Sequence, residues 1–461
     1  VSDDRGTATV REGDEGFERA VVDGVFNAMV AGGRPGAVLR PRSEAEVVRA
    51  VREAAAAGER IAVRSGGHSW VAASVREGGV LIDLGELDGI AVDVGAMLAT
   101  IGPGVRGTVL SAALEARGLA FPVGHCGDPG VGGFLLGGGL GVNWGEWLPS
   151  CFSIRSLRVV TADGEVRTAS AEENEELFWL ARGAGPGFPG VVTSFDVELR
   201  PAPAEVRVST WVYPLGELAA VSRWVTDASK ELSPNVEVAV VTQGVGRPGG
   251  VAEHPLVVGV AATAVIERQG HRSALAPLGD GAPGLVPLER FEGPARLSEL
   301  HVPVDATYPA GARYLADTFW THLPLDEAMA PLEALMARAP SGRSYVLTGM
   351  PANGRGGELL PVGEAAYGMH DTTLVIVYVI WDDPAADAAN RAWLDEVAAA
   401  LLPTCTGHAL SEADIREHPE RIARSFRDED WPRIRDLIAR FDPEGLFHGF
   451  PAETLATTTG P

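Results

Sequence analysis

The chain carries a single lysine, Lys230, among 38 basic residues, and its 62 acidic residues leave a formal net charge of −24. A field of that sign repels phosphate backbones and anionic lipid, so neither nucleic acid nor a membrane surface is expected as a partner. Long apolar runs are also missing: no window reaches the ~18 uninterrupted apolar residues of a membrane span. The three cysteines, Cys126, Cys151 and Cys405, are too few for a disulfide scaffold. No CxxC or HxxxH pair occurs, and His125 and Cys126 are adjacent, so no metal site is expected. The opening stretch, VSDDRGTATVREGDEGFERA, is too polar and acidic for a secretory signal, which points to a soluble, cytoplasmic protein.

What the chain has in quantity is glycine, 57 of 461 residues. The densest run is Pro122–Gly141 (PVGHCGDPGVGGFLLGGGLG), which also holds Cys126. Glycine has no Cβ, so such a run lets main-chain N–H groups approach a flat or phosphorylated ligand. A second tight glycine turn, Arg64–Ser74 (RSGGHSWVAAS), carries His68, and a third segment is Arg182–Gly190 (RGAGPGFPG). Each follows a predicted strand or apolar run. Walker A is excluded because RSGGHS lacks GK[ST]. The central stretch also lacks the acidic residue ~20 positions on that a strand–GxGxxG–helix unit requires. Two glycine cradles with one histidine and one cysteine instead suggest a large cofactor gripped at two points.

Around these motifs the pattern is mixed. Ser43–Glu46 is a capping box that opens a helix with Val47, Val48, Val51 and Ala54 inward, and Arg60–Arg64 is a strand that delivers the Ser65–Ser69 turn. This strand–helix–strand unit is an α/β signature. Ile154–Thr161 and Glu165–Ala169 form a hairpin about Ala162-Asp-Gly. Pro201-Ala-Pro203 marks a domain border. Beyond it the strand candidates are Val206–Tyr213, Val236–Gln243, Leu256–Val265, Ser344–Met350 and Thr372–Trp381, and the helix candidates are Leu215–Ser229, Leu325–Arg338 and Ala385–Leu402. They read as an antiparallel sheet with helices on one face.

Taken in order and spacing, Arg64–Ser74, Pro122–Gly141 and Arg182–Thr193 (RGAGPGFPGVVT) resemble the covalent-flavin oxidases of the vanillyl-alcohol-oxidase and berberine-bridge-enzyme superfamily. The last of these, with Gly407–Asp414 (GHALSEAD) and Arg440–Phe450 (RFDPEGLFHGF), resembles a bacterial, actinobacterial branch of it. The resemblance implies an α+β, two-part flavoprotein. Its bipartite FAD-binding domain takes residues 1–200, with the PCMH-type unit at about 35–201, and a C-terminal return at 406–461. A substrate domain at 201–405 supplies the antiparallel sheet. It also implies bicovalent FAD, with His68 as the 8α-histidyl and Cys126 as the 6-S-cysteinyl attachment. A thiolate lowered in pKa by neighbouring N–H groups and a neutral imidazole would suit those roles.

Further cofactor-binding residues carried over are Arg64, Ser65, Gly66, Gly67, Ser69 and Ser74 at the pyrophosphate, and Gly124, Gly132, Gly133, Gly137, Gly138, Gly139, Gly141, Gly190, Val191 and Val192 at the isoalloxazine and adenosine. The family's usual base position falls at Ile376, which cannot take a proton, and its C-terminal tyrosines fall at Ala409 and Glu412. The candidates for the base are therefore Tyr378, on the same strand face as Ile376, His408 and Glu412. Trp70, Trp144, Trp147, Phe188, Trp211, Tyr345 and Tyr367 are candidates to line a pocket, with core packing as the ordinary alternative. The expected activity is oxidation of a hydroxyl- or amine-bearing carbon of a bulky small molecule, a secondary metabolite or sugar, with O2 as acceptor and H2O2 as product. The alternatives are a dehydrogenase with a non-O2 acceptor and a flavin-retaining protein with a binding or redox-neutral cyclising role.

Overall fold

The computed structural model describes residues 7–30, 33–244, 256–267, 274–309, 311–350 and 360–451; the first six residues of the polar lead lie outside it. Strands β1 (Ala8–Arg11), β2 (Ala37–Arg40), β3 (Ile61–Arg64) and β4 (Val80–Asp83) form a sheet in the order β1-β2-β4-β3. Strands β2 and β3 both run parallel to β4, as a strand–helix–strand unit requires. The connecting helix, Glu44–Ala57, starts at Ser43, whose Oγ accepts the Glu46 N–H at 3.3 Å, and ends at Gly58 with φ 67°. The Glu46 carboxylate accepts from the N–H of Arg42 at 2.9 Å, one residue earlier than a reciprocal capping box would have it. The buried face is Val47, Ala50, Val51 and Ala54; Ala50, not Val48, completes it.

Strands β5 (Ile90–Asp93), β6 (Leu98–Ile101), β7 (Leu119–Ala120), β8 (Ile154–Val160), β9 (Val166–Ser170), β10 (Val191–Glu198) and β11 (Arg200–Pro201) follow. Five of them build an antiparallel sheet in the order β5-β6-β10-β8-β9, and β7 pairs with β11. The β8–β9 hairpin closes at Val160 opposite Val166, around the expected Asp-Gly turn. Near the C-terminus the chain returns to β3: Ile61 donates to Leu446 O at 2.7 Å and His448 donates to Ile61 O at 2.9 Å.

The remaining strands are β12 (Glu205–Pro214), β13 (Val236–Gly244), β14 (Leu256–Ile266), β15 (Glu289–Ala295), β16 (Arg313–Thr321), β17 (Tyr345–Met350), β18 (Thr373–Trp381) and β19 (Cys405–Gly407). They make one eight-stranded sheet, β15-β12-β14-β13-β17-β18-β16-β19, antiparallel throughout. Along β18, Val375, Val377, Val379 and Trp381 face helices Leu218–Ser229, Leu325–Met329, Leu332–Met336 and Asp387–Leu401, whereas Leu374, Ile376, Tyr378 and Ile380 face Trp70 and Trp144. The sheet therefore buries both faces, with helices on one and the glycine-rich half of the chain on the other.

Four sequence expectations change. Strands β15 and β16 were absent from the candidates: β15 is an edge strand containing Gly293 and Pro294, and the buried Asp317 breaks the apolar run of β16. The helix expected over Leu325–Arg338 is two short helices on either side of Pro331, where a ring replaces the N–H donor. Phe17–Val30 has weak helical patterning in the sequence, but the helix begun at Phe17 stops at Val22. The border drawn at 405/406 falls inside β19, which still pairs with β16, so the chain leaves the large sheet only after Gly407.

Asp317 is fully buried in an ion pair with Arg421 and accepts the N–H groups of Thr318 at 2.9 Å and Asp414 at 3.3 Å. Removing one partner of such a pair strands the other charge. Asp317→Ala is expected to lower unfolding free energy by about 3–5 kcal/mol, against about 1 kcal/mol for the exposed cap variant Ser43→Ala, in equilibrium denaturation.

Candidate active site

The site grows from two loops that touch through glycine. A Cβ on Gly66 would lie 2.1 Å from Gly130 N, and one on Gly130 2.6 Å from Gly66 N. Gly67 has φ +67° and packs on Gly24, where a Cβ would sit 1.4 Å from the carbonyl oxygen. Ser65 donates its hydroxyl to Pro103 O at 2.5 Å, and Arg106 bridges the loops by donating to Gly66 O at 3.0 Å and Asp128 O at 2.5 Å. The loop that follows β3 is thus fixed against the loop carrying Cys126.

Between these loops and the eight-stranded sheet lies a cavity of about 1530 Å³. A pocket for one small ligand spans roughly 300–1000 Å³, so there is room for a cofactor and a substrate together. His68 and Cys126 both line it, as do Ser65, Gly66, Gly67, Ser69, Ser74, Gly124, Gly132, Gly133, Gly137, Gly139, Gly190 and Val192. Among the described residues, the N–H groups of Gly66, Gly67, His68 and Ser69 find no backbone acceptor. Such an array of donors is a nest for an anionic group. A Cβ on Gly133 would meet nothing within 4 Å, so that stretch of wall is open backbone. Farther along, Arg76 lines the cavity beside His448 and Gly449; burial, then Arg416 and Arg60, lower its pKa to about 10. Donor nest, bare wall and local cations together fit a flat ring system bearing a pyrophosphate.

Some expected cofactor contacts lie elsewhere. Arg64 lines the cavity, but its guanidinium is buried and turned to Val21 O at 2.6 Å, Ala20 O at 2.7 Å and Asp83 Oδ2 at 2.8 Å, so that end of the side chain braces the sheet. Gly138 and Gly141 are not on the wall: a Cβ on the first would strike the Tyr367 ring at 2.2 Å, and on the second Pro122 O at 2.4 Å. Val191 belongs to the core under helix Glu44–Ala57. Trp147 is also off the wall, buried with its Nε1 donating to Glu267 at 3.1 Å.

The two attachment candidates differ in electrostatics. Burial lowers the pKa of His68, whose ring stacks on Phe26 at 4.3 Å between centroids, and favours the neutral, nucleophilic imidazole. Cys126 departs from expectation. Burial, then the carboxylates of Glu412 and Asp305, push its thiol up, not down. The N–H groups counted in the sequence are outweighed by burial first and then by acids that arrive from distant parts of the chain. Asp305 is held by Gly127 N–H at 2.9 Å and by His301 Nδ1 at 2.7 Å, and Glu237 of β13 by His125 Nε2 at 3.0 Å and Asn143 N–H at 2.7 Å. The cysteine loop is therefore clamped twice by the large-sheet half of the chain. Burial acts against charge on His125, but Glu237 outweighs it and raises the imidazole above its ordinary value.

Two of the three base candidates come together. Tyr378 donates its hydroxyl to Glu412 Oε2 at 3.0 Å, and both line the cavity. Burial raises the Glu412 carboxyl, opposed by the Tyr378 hydrogen bond and by His125; burial also lifts the Tyr378 phenol well above its usual range. His408 is displaced from the site. Its Nδ1 meets Thr318 O at 2.5 Å, it lies off the cavity wall, and burial pushes its pKa down to about 4. Trp70, Tyr308 and Tyr345 surround Tyr378 with ring centroids 4.9, 5.8 and 4.9 Å away. Tyr308, Phe26 and Arg106 escaped the sequence reading, since nothing local marks a residue whose partners lie far along the chain.

Residues 35–170 match the FAD binding domain family. The FAD-linked oxidoreductase nodO of Hypoxylon pulicicidum is 30% identical over 430 residues, covering 92% of each chain. The (R)-6-hydroxynicotine oxidase of Paenarthrobacter nicotinovorans is 28% identical over 438 residues, covering 90% of each. In fold, the chain superimposes on BBE-like 1 of Physcomitrella patens with a TM-score of 0.83 at 21% identity, over 97% of this chain and 96% of that one. With the glycine cradle, the paired loops and the large antiparallel sheet in place, the chain belongs to the berberine-bridge-enzyme-like FAD-linked oxidoreductases.

Proposed function

We propose that the protein oxidises a hydroxyl- or amine-bearing carbon of a bulky small molecule by hydride transfer to FAD held through both His68 and Cys126. The observation that carries this reading is that His68, Cys126, Tyr378 and Glu412, from four separate stretches of chain, line one cavity. The chemistry that FAD supplies when bound is hydride acceptance and reoxidation, with O2 as the acceptor. The N–H nest of Gly66–Ser69 and the Arg76 end would hold the phosphates, and the bare backbone about Gly133 the flat ring. In this reading the cofactor rests on residues 1–200 and the C-terminal return, and the substrate on the sheet of residues 201–405.

The chain's own part in the chemistry is proton management. Loss of a hydride from carbon requires that the attached O–H or N–H also lose its proton. The Tyr378 oxygen accepts that proton as its own moves across the 3.0 Å hydrogen bond to Glu412 Oε2, so the proton ends on the Glu412 carboxylate, which becomes neutral, and Tyr378 is not left as a phenolate. A carboxylate raised by burial suits this role, because it binds the proton more firmly than an exposed one. Leu374 and Ile376, on the same face as Tyr378, keep water from competing.

Three outcomes follow. Acid-precipitated protein should remain yellow, with proteolysis yielding one flavin joined to peptides containing His68 and Cys126; His68→Ala or Cys126→Ala should each keep a single bond and shift the absorbance. Release of all flavin from the wild type on acid precipitation removes the attachment reading. Tyr378→Phe and Glu412→Gln should slow flavin reduction by about 10²–10⁴-fold in stopped-flow absorbance on a true substrate, whereas His408→Ala should not. The reduction rate should fall with acidification through a pKa above the ordinary carboxylate range, since the base must be ionised, and Glu412→Gln should abolish that limb.

A further inference from the structure

The cavity is electrically divided. Its arginines, Arg64 and Arg76, lie at the end built from β3 and the C-terminal return, and the Arg64 guanidinium is already taken by Asp83. At the other end the charged wall residues are Glu412, Glu237, Glu289 and Glu299, and among the described residues no lysine or arginine joins them. Glu237 is engaged by His125 and the Asn143 N–H, so the carboxylate that faces the tyrosines is Glu412. Trp70, Tyr308, Tyr345 and Tyr378 stand beside it as one continuous aromatic wall, with neighbouring centroids 4.9–6.3 Å apart. Aromatic faces attract cations, most strongly where water is excluded, and a nearby carboxylate adds to the attraction. Outward from this wall the lining becomes apolar, reaching Phe291 and Val302, which are 56% and 57% exposed at the rim.

Resting on the oxidoreductase reading above, we infer that the substrate is an organic cation with a large apolar body. Its ammonium sits against the Trp70, Tyr308, Tyr345 and Tyr378 wall beside Glu412, and its body extends toward Phe291 and Val302. At this end an anionic substrate faces the carboxylates of Glu412, Glu289 and Glu299, and the one imidazole raised above its ordinary value, His125, is already held by Glu237. A polyhydroxylated one finds Val241, Leu347, Leu374 and Ile376 where it needs hydrogen-bonding partners. The net charge of −24 also draws cations toward the opening.

The test uses oxidised holoenzyme without turnover. Benzyltrimethylammonium and neopentylbenzene, its neutral carbon isostere, are compared by calorimetry or by perturbation of flavin absorbance. The cation should bind at least about tenfold more tightly, and Glu412→Gln and Tyr308→Leu should each reduce that preference. Should a variant fail to fold, saturation transfer from the aromatic protons to the N-methyl protons of the probe on wild-type enzyme locates the ammonium. Equal or tighter binding of the isostere to yellow protein, a preference unchanged in both folded variants, or no such transfer overturns the inference and leaves hydride transfer standing. A chain that takes up no flavin at all overturns both.

Discussion

The contact on which this molecule depends is the meeting of two backbones, Gly66 against Gly130. Main chain lies where any side chain would place an atom, within about 2.1 Å of Gly130 N from one side and 2.6 Å of Gly66 N from the other. Such an approach leaves glycine as the only residue that fits. It sets the end of β3 beside the cysteine loop, 60 residues apart in sequence, and so puts an imidazole and a thiol on one cavity wall. Arg106, Ser65 and Gly67 then lock the arrangement through Gly66 O, Pro103 O and Gly24. The two loops cannot drift apart independently.

The opposite wall obeys a different constraint. A sheet buried on both faces needs apolar residues at every position, and β18 supplies them, Thr373–Trp381 being buried throughout. A polar group on such a strand is tolerated only with a partner. Tyr378 finds one in Glu412, whose loop is fastened on several sides. Thr318 Oγ1 accepts from Ala409 N–H at 2.8 Å, Asp414 pairs with Arg391, and Arg416 donates to Val71 O at 2.7 Å. The last bond ties the base loop back to the segment that follows His68. The His68 loop and the Glu412 loop are thus parts of one frame.

What could be read from the sequence follows from these two constraints. The glycine motifs were legible because a backbone contact leaves its mark at the residue itself, and five antiparallel strands were legible by their alternation. Strand β16 was hidden by Asp317, a charge whose countercharge, Arg421, lies more than a hundred residues on. The helix after Leu325 was drawn through Pro331, although the residue alone was reason to break it. The thiolate argument for Cys126 failed for a similar reason. It counted the local N–H groups and had no means of counting the burial of the thiol, or Glu412 and Asp305. His408, equally plausible on paper, spends its Nδ1 on Thr318 O.

A protein of charge −24 that cradles a pyrophosphate must solve an electrostatic problem locally. It does so by placing Arg76, whose pKa burial and then Arg416 and Arg60 lower to about 10, at one end of the cavity, and by leaving the N–H groups of Gly66–Ser69 without a backbone acceptor among the described residues. Fixed dipoles and a few local cations act over a few ångströms, where the net charge is screened and distant. The same short range lets the far end of the cavity hold the opposite potential. Burial, and then Glu412, raise the Cys126 thiol and the Tyr378 phenol there. One cavity wall thus carries Arg76 toward the C-terminal return and Glu412 beside the tyrosines, and the proposed cofactor and substrate sites draw on these two opposite charges.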